Sequence, residues 1–232
     1  WNTVPTVNGA PADVVIGQTD FVTGTAGLSA TKLNHPAGVA VSPDGKLFIG
    51  EVGNHRVLIY NSIPTANGAA ADVVIGQTSF VTNGAGSGAS QLNEPWATCV
   101  SPLDGRLLIA GWSNKRMLAL DSVPTSNGAS ADVVIGQTGF GLTGAATTAT
   151  GMNIPASAAV SPSGQLAIAD NGNARVLIYD SIPTTNGAAA VAVLGQPDFT
   201  TGTAFTGGVS AHSMSSSYQL AFTADGRLIV PG

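Results

Sequence analysis

The feature that most limits what this chain can fold into is a repeat. The stretch 34–77 returns, nearly unchanged, at 93–137 and at 153–196. It begins again at 216–232, and its tail opens the chain at 1–18. The glycine of the Ile/Leu-Gly-Gln step falls at Gly17, Gly76, Gly136 and Gly195, spacings of 59, 60 and 59. The recurring arginine falls at Arg56, Arg116 and Arg175, spacings of 60 and 59. A period of this size marks a solenoid, a propeller or another array. In such arrays a unit buries its apolar surface only against its neighbours.

The apolar runs inside a unit decide between helix and strand. They are short and rich in β-branched residues, as in Gly38-Val39-Ala40-Val41, Leu47-Phe48-Ile49, Val57-Leu58-Ile59-Tyr60 and Val73-Val74-Ile75. Ser42-Pro43-Asp44-Gly45, Gly53-Asn54 and Pro64-Thr65-Ala66-Asn67-Gly68 separate them, and these are turn signals. No helical period is sustained. Each unit therefore reads as four antiparallel strands: A at 37–42, B at 46–51, C at 56–61 and D at 71–76. Four short strands, repeated, is the sequence form of a β-propeller blade. The expected fold is all-β, with about four units of roughly 60 residues each. Blades are expected at 34–77, 93–137 and 153–196, with a split one giving strand D from 1–18 and strands A and B from 216–232.

The long D-to-A connections, such as 78–92, are rich in Gly, Ser and Thr. Each carries a phenylalanine (Phe21, Phe80, Phe140, Phe199) that is expected to pin the connection to a blade face. Trp1-Asn2-Thr3 aligns with Tyr60-Asn61-Ser62, and Gly232 aligns with Glu51, so the split unit lacks strand C. The expectation is a window of a longer array, with strand exchange between subunits as the alternative. The same mid-repeat start leaves no signal peptide to read.

Composition excludes some partners. Net charge is -5, only 9% of residues are charged, and the 8 Lys and Arg are scattered singly. Without a basic stripe to neutralise phosphates, nucleic acid is not an expected partner. No apolar run approaches the roughly 18 residues of a membrane span. Cys99 is the single cysteine, so no intrachain disulfide or cysteine metal cluster can form. It stands where the other units have Ala40 and Ala159, a small buried strand position. A polar surface built from Ser, Thr, Asn and Gly is in the style of exported bacterial repeat proteins. An extracellular, periplasmic or cell-surface location is expected from that style.

Pro36-Ala37-Gly38-Val39-Ala40-Val41, Asp44-Gly45 and Asn54-His55-Arg56-Val57-Leu58 together resemble the NHL repeat of β-propellers. Asn114-Lys115-Arg116-Met117-Leu118 and Asn173-Ala174-Arg175-Val176-Leu177 keep the pattern. The acid before it is Glu51 in the first unit and Asp170 in the third, whereas the second has Gly111. The resemblance implies a propeller, usually of six blades, used as a binding platform or less often as a lyase or hydrolase scaffold.

Internal repeats separate blade from site: positions alike in every unit serve the blade, and positions that differ can serve a site. Arg56, Arg116 and Arg175 recur, which points to blade carbonyls and carboxylates as their partners. Asp13, Asp72 and Asp132 recur before strand D, but Val191 takes the fourth place. The D-to-A and B-to-C loops share one propeller face, and there the units differ. Position 35 is His35, then Glu94, then Ile154; position 37 is Ala37, then Trp96, then Ala156. Position 52 is Val52, then Trp112, then Asn171; position 55 is His55, then Lys115, then Ala174. The second unit thus gathers Glu94, Trp96, Trp112 and Lys115, a set suited to stacking on a sugar or anchoring a protein partner. The alternative for both tryptophans is packing under the Gly-rich loops.

A metal set is the competing reading. His35, Glu51 and His55 share one blade and offer two imidazoles and one carboxylate, while His212 lies apart in a Ser-rich linker. No Ser-His-Asp nucleophile sits in an elbow context, and the glycines lie in turns rather than in a phosphate loop. The function read from sequence is therefore a non-catalytic scaffold that binds protein or glycan through one face, with no cofactor. A metal-dependent propeller lyase or hydrolase is the first alternative. A structural segment of a surface or filamentous assembly, associating with its own copies, is the second.

Overall fold

The computed structural model describes residues 1–231, so the expected match of Gly232 to Glu51 lies outside the described residues. Three four-stranded antiparallel sheets and one two-stranded sheet make up the chain. The first blade holds β1 (Pro36–Val41), β2 (Leu47–Glu51), β3 (Arg56–Tyr60) and β4 (Val73–Ile75). The second holds β5 (Pro95–Val100), β6 (Leu107–Gly111), β7 (Arg116–Leu120) and β8 (Val133–Ile135). The third holds β9 (Pro155–Val160), β10 (Leu166–Asp170), β11 (Arg175–Tyr179) and β12 (Ala192–Leu194). The short pair β13 (Ala221–Phe222) and β14 (Leu228–Ile229) begins a fourth. Strand order within each full blade follows the chain, a plain meander.

Alternation of side chains sends each strand to two interfaces at once. In the first blade Phe48, Val57, Ile59, Val73 and Ile75 face the second blade. They meet Leu107, Ile109, Leu118, Leu120 and Val134 from its near side. Leu108, Ala110, Met117, Ala119, Val133 and Ile135 point the other way, into the third blade. Strands buried on both faces read as continuous apolar runs, which is why LFI, VLIY and VVI carry no polar positions. The innermost strands instead carry small residues. A Cβ at Gly38 would lie 2.4 Å from the Trp96 carbonyl oxygen, so β1 and β5 approach more closely than any side chain there would allow. The opposite face of β1, with Val39 and Val41, is exposed.

Two motifs tie blade to blade. Asn67, Asn127 and Asn186 accept on Oδ1 the amides of Val15, Val74 and Val134 at 3.0, 3.0 and 2.9 Å. The following Gly68, Gly128 and Gly187 donate to the carbonyls of those same valines, with φ between +65° and +68°. The Asn-Gly of each C-to-D loop thereby clasps strand D of the preceding blade. The strand expected at 1–18 does not form. In the full blades strand D pairs only with strand C, and Val15 has instead the clasp of Asn67 and Gly68.

The recurrent arginines are fully buried and bind backbone carbonyls. Arg56 donates to Ser29 and Lys32 of the loop entering its blade and to Phe80 of the loop leaving it. Arg175 does the same with Thr148, Gly151 and Phe199. Phe80, Phe140 and Phe199 pack against the three core clusters, which pins those loops, while Phe21 is exposed. Asp13, Asp72 and Asp132 each accept a backbone amide eleven residues back, at 2.7, 2.7 and 2.8 Å, and so close the C-to-D loop.

Candidate binding face

The start of each strand A lies beside the B-to-C hairpin of its own blade. The amide of Val52 donates to His35 and that of Trp112 to Glu94, at 3.1 and 3.2 Å. The residues at both positions flanking this seam have positive φ in all three blades: His35, Glu94 and Ile154, then His55, Lys115 and Ala174. Strain shared by every blade belongs to the blade; only the side chains mounted there differ.

In the second blade those side chains form an aromatic cluster. Trp96 on β5 stacks on Trp112, just after β6, with ring centroids 4.5 Å apart and planes at 29°. Tyr218 completes it, 6.4 Å from Trp96 and 6.2 Å from Trp112. Both tryptophans are half-buried and Tyr218 is exposed. The sequence reading omitted Tyr218. Its signal was present, because aligning Thr223-Ala224-Asp225-Gly226 with Ser42-Pro43-Asp44-Gly45 puts Tyr218 at the position of Ala37, Trp96 and Ala156.

The two charged candidates have local partners. The Glu94 carboxylate accepts the Ser113 hydroxyl, and its amide donates to His55 Nδ1 at 3.1 Å. Lys115 Nζ donates to the Trp112 carbonyl at 3.3 Å. They edge the cluster and are not converged on a common point. Some unit-specific residues work between blades: His55 receives the second blade's amide, and Asn171 Nδ2 donates to Ser217 at 3.4 Å. Beside Trp96 a hollow of about 570 Å³ is lined by His35, Pro36, Ala37 and Val52. A hollow of about 660 Å³ lies against β12 and the connection that follows it, with His212 and Met214 in its wall.

The metal set does not assemble. Glu51 is fully buried, and its carboxylate receives Arg56 Nε at 2.5 Å, Asn54 Nδ2 at 2.9 Å and the Asn34 amide at 2.7 Å. Asp170 repeats this in the third blade, so the acid belongs to the blade. His35 is exposed, while His55 Nδ1 is taken by Glu94. Among the described residues no group of three or more His, Cys, Asp or Glu could hold a metal ion. Cys99 faces the third blade's cluster, and burial pushes its thiol up to about 11. Among the described residues no helix is long and apolar enough to cross a membrane.

Residues 33–60 and 152–179 match the family model described as the NHL repeat. Each match spans the acid, the asparagine and the arginine; the second blade, with Gly111, lies outside both. Hydrazine synthase of Kuenenia stuttgartiensis shares the fold, with a TM-score of 0.51 and 16% identity over 91% of this chain and 45% of that one. A streptogramin B lyase structure gives a TM-score of 0.46 and 11% identity, over 85% of this chain and 48% of that one. This chain spans less than half the length of either. Comparison with curated proteins gave no match.

Proposed function

We propose that this chain, an NHL-repeat β-propeller protein, is a binding scaffold that takes a protein partner on the aromatic face of its second blade. The observation that carries the reading is the cluster of Trp96, Trp112 and Tyr218 beside the apolar hollow under Val52 and Pro36. Aromatic anchors next to a hollow that can seat an apolar side chain are the usual centre of a protein interface. A sugar needs a free ring face. Here Trp96 and Trp112 use faces on each other, with Tyr218 within about the same stacking range. That geometry favours the protein over the glycan.

Glu94 and Lys115 are held by Ser113 and the Trp112 carbonyl, and their role is to rim the apolar centre with charge. The test is a displayed random-peptide library and a glycan array probed in parallel with the wild type and with Trp96→Ala. Peptides weakened by at least ~30-fold in the variant, the loss of a hot-spot residue, support the reading. Glycan hits with the same sensitivity would move the assignment to sugar. Binding that ignores the substitution would remove the site.

A further inference from the structure

The second blade buries an arginine without the carboxylate that the other two blades supply. In the first blade Glu51 stands between Arg56 Nε, Asn54 and the Asn34 amide. In the third, Asp170 stands between Arg175 Nε, Asn173 and the Asn153 amide, at 2.7, 2.8 and 2.6 Å. The second blade keeps Arg116, Asn114 and Asn93 in the same repeat positions but has Gly111 in place of the acid.

The consequences are visible atom by atom. Arg116 is 0% exposed, and its terminal nitrogens donate to the carbonyls of Ser87, Gly88, Gln91 and Phe140. Its Nε has no partner, and neither has Oδ1 of Asn114 beside it. No carboxylate forms an ion pair with Arg116 among the described residues, whereas Arg56 and Arg175 each have one. Gly111 brings no side chain to the position that the acid fills elsewhere, and a Cβ built on it would fit tightly, 3.3 Å from the Arg116 carbonyl oxygen and from Asn114 Cβ. Burial alone, with no compensating charge, pushes the Arg116 guanidinium down to about 10. A buried charge left unpaired is among the costlier things a fold can carry.

We propose that this vacated position is a binding site for a small monovalent anion of chloride size, held between Arg116 Nε and the amide groups of Asn114 and Asn93. The anion takes the place of the Glu51 and Asp170 carboxylates and completes the second blade from solution. Asn114 serves it with Nδ2, which donates to the Gly86 carbonyl at 3.2 Å just as Asn54 and Asn173 donate from one Nδ2 to a loop carbonyl and to the acid. Because the site exists only in the folded chain, the anion stabilises the native state by mass action.

The test is thermal unfolding in chloride against gluconate, an anion too large to enter, at constant ionic strength. Wild-type Tm is expected to rise by a few degrees as chloride replaces gluconate, and bromide is expected to act alike. Gly111→Asp, which restores the blade's own carboxylate, is expected to raise Tm in gluconate and to abolish the chloride dependence. Equal Tm of the wild type in both salts, or the same chloride slope in both proteins, would overturn the proposal. Should the variant not fold, crystals of the wild type grown in bromide decide the matter. Anomalous density at Arg116 Nε supports the site, and a water molecule there without anomalous signal removes it.

Discussion

Asn127 accepts the amide of Val74 at 3.0 Å, and across that bond the C-to-D loop of the second blade holds strand D of the first. Gly128 returns a second bond to the Val74 carbonyl at 3.0 Å. Val74 is completely buried, so neither backbone group can turn to water instead. The Pro-Thr-x-Asn-Gly text, which reads in sequence as a turn, is therefore also the joint between blades.

Asn127→Ala is expected to cost about 1–3 kcal/mol, the range for stranding a buried amide. For a chain of this size each kcal/mol lowers Tm by roughly 2–4 °C. Asn127→Asp keeps an acceptor and is expected to lose much less. Thermal unfolding of the pair checks this, and equal losses would assign the effect to the loop rather than to the bond.

Asp170→Asn leaves Arg175 buried without its counter-charge. Breaking a buried pair from one side costs about 3–5 kcal/mol. Urea unfolding should show the midpoint falling with the slope unchanged. The same substitution at exposed Asp225, which binds exposed Arg227 and the Thr223 hydroxyl, is expected to change little. A small effect at Asp170 would mean that the carbonyls of Thr148, Gly151 and Phe199 suffice for the guanidinium.

Strands and blades were legible because period-two burial on both faces leaves uninterrupted apolar runs, and identical runs recurred three times. The arginines' role was legible too, since identity across units signals a shared task. Val14-Val15-Ile16 misled: the text of a strand D is present, but its pairing partner is a strand C that the residues before it do not form. Two of the three aromatic residues were legible from position-by-position contrast, which isolated Trp96 and Trp112. Tyr218 escaped because it follows a Ser-rich stretch where the repeat text is too degraded to show its register by eye. The same contrast also picks out His55 and Asn171, whose side chains bind the neighbouring blade.

Trp112→Ala is expected to separate binding from folding. The ring is half-buried, and its specific stacking on Trp96 is worth about 0.5–1.5 kcal/mol beyond area. A Tm drop of a few degrees at most is expected, together with loss of the circular-dichroism couplet that two stacked indoles produce. A collapse in stability would instead make the pair a core element and withdraw it from the binding face.

Cys99 gives a pH test of the interface between the second and third blades. Burial beside the third blade holds its thiol near 11, against an ordinary 9.0. The native thiol therefore keeps its proton at pH values where the unfolded thiol has lost it. The sign follows: its contribution is fully present below pH 9 and is lost as pH rises toward 11. Only the thiolate attacks, so at pH 8 a disulfide reagent should react about 100-fold more slowly than with a free cysteine, before any steric shielding. The rate should climb about tenfold per pH unit until it levels near pH 11. Rapid labelling at pH 8 would show that β5 and β9 open readily. Labelling that is slow and indifferent to pH would show that opening of the blades, and not ionisation, limits access.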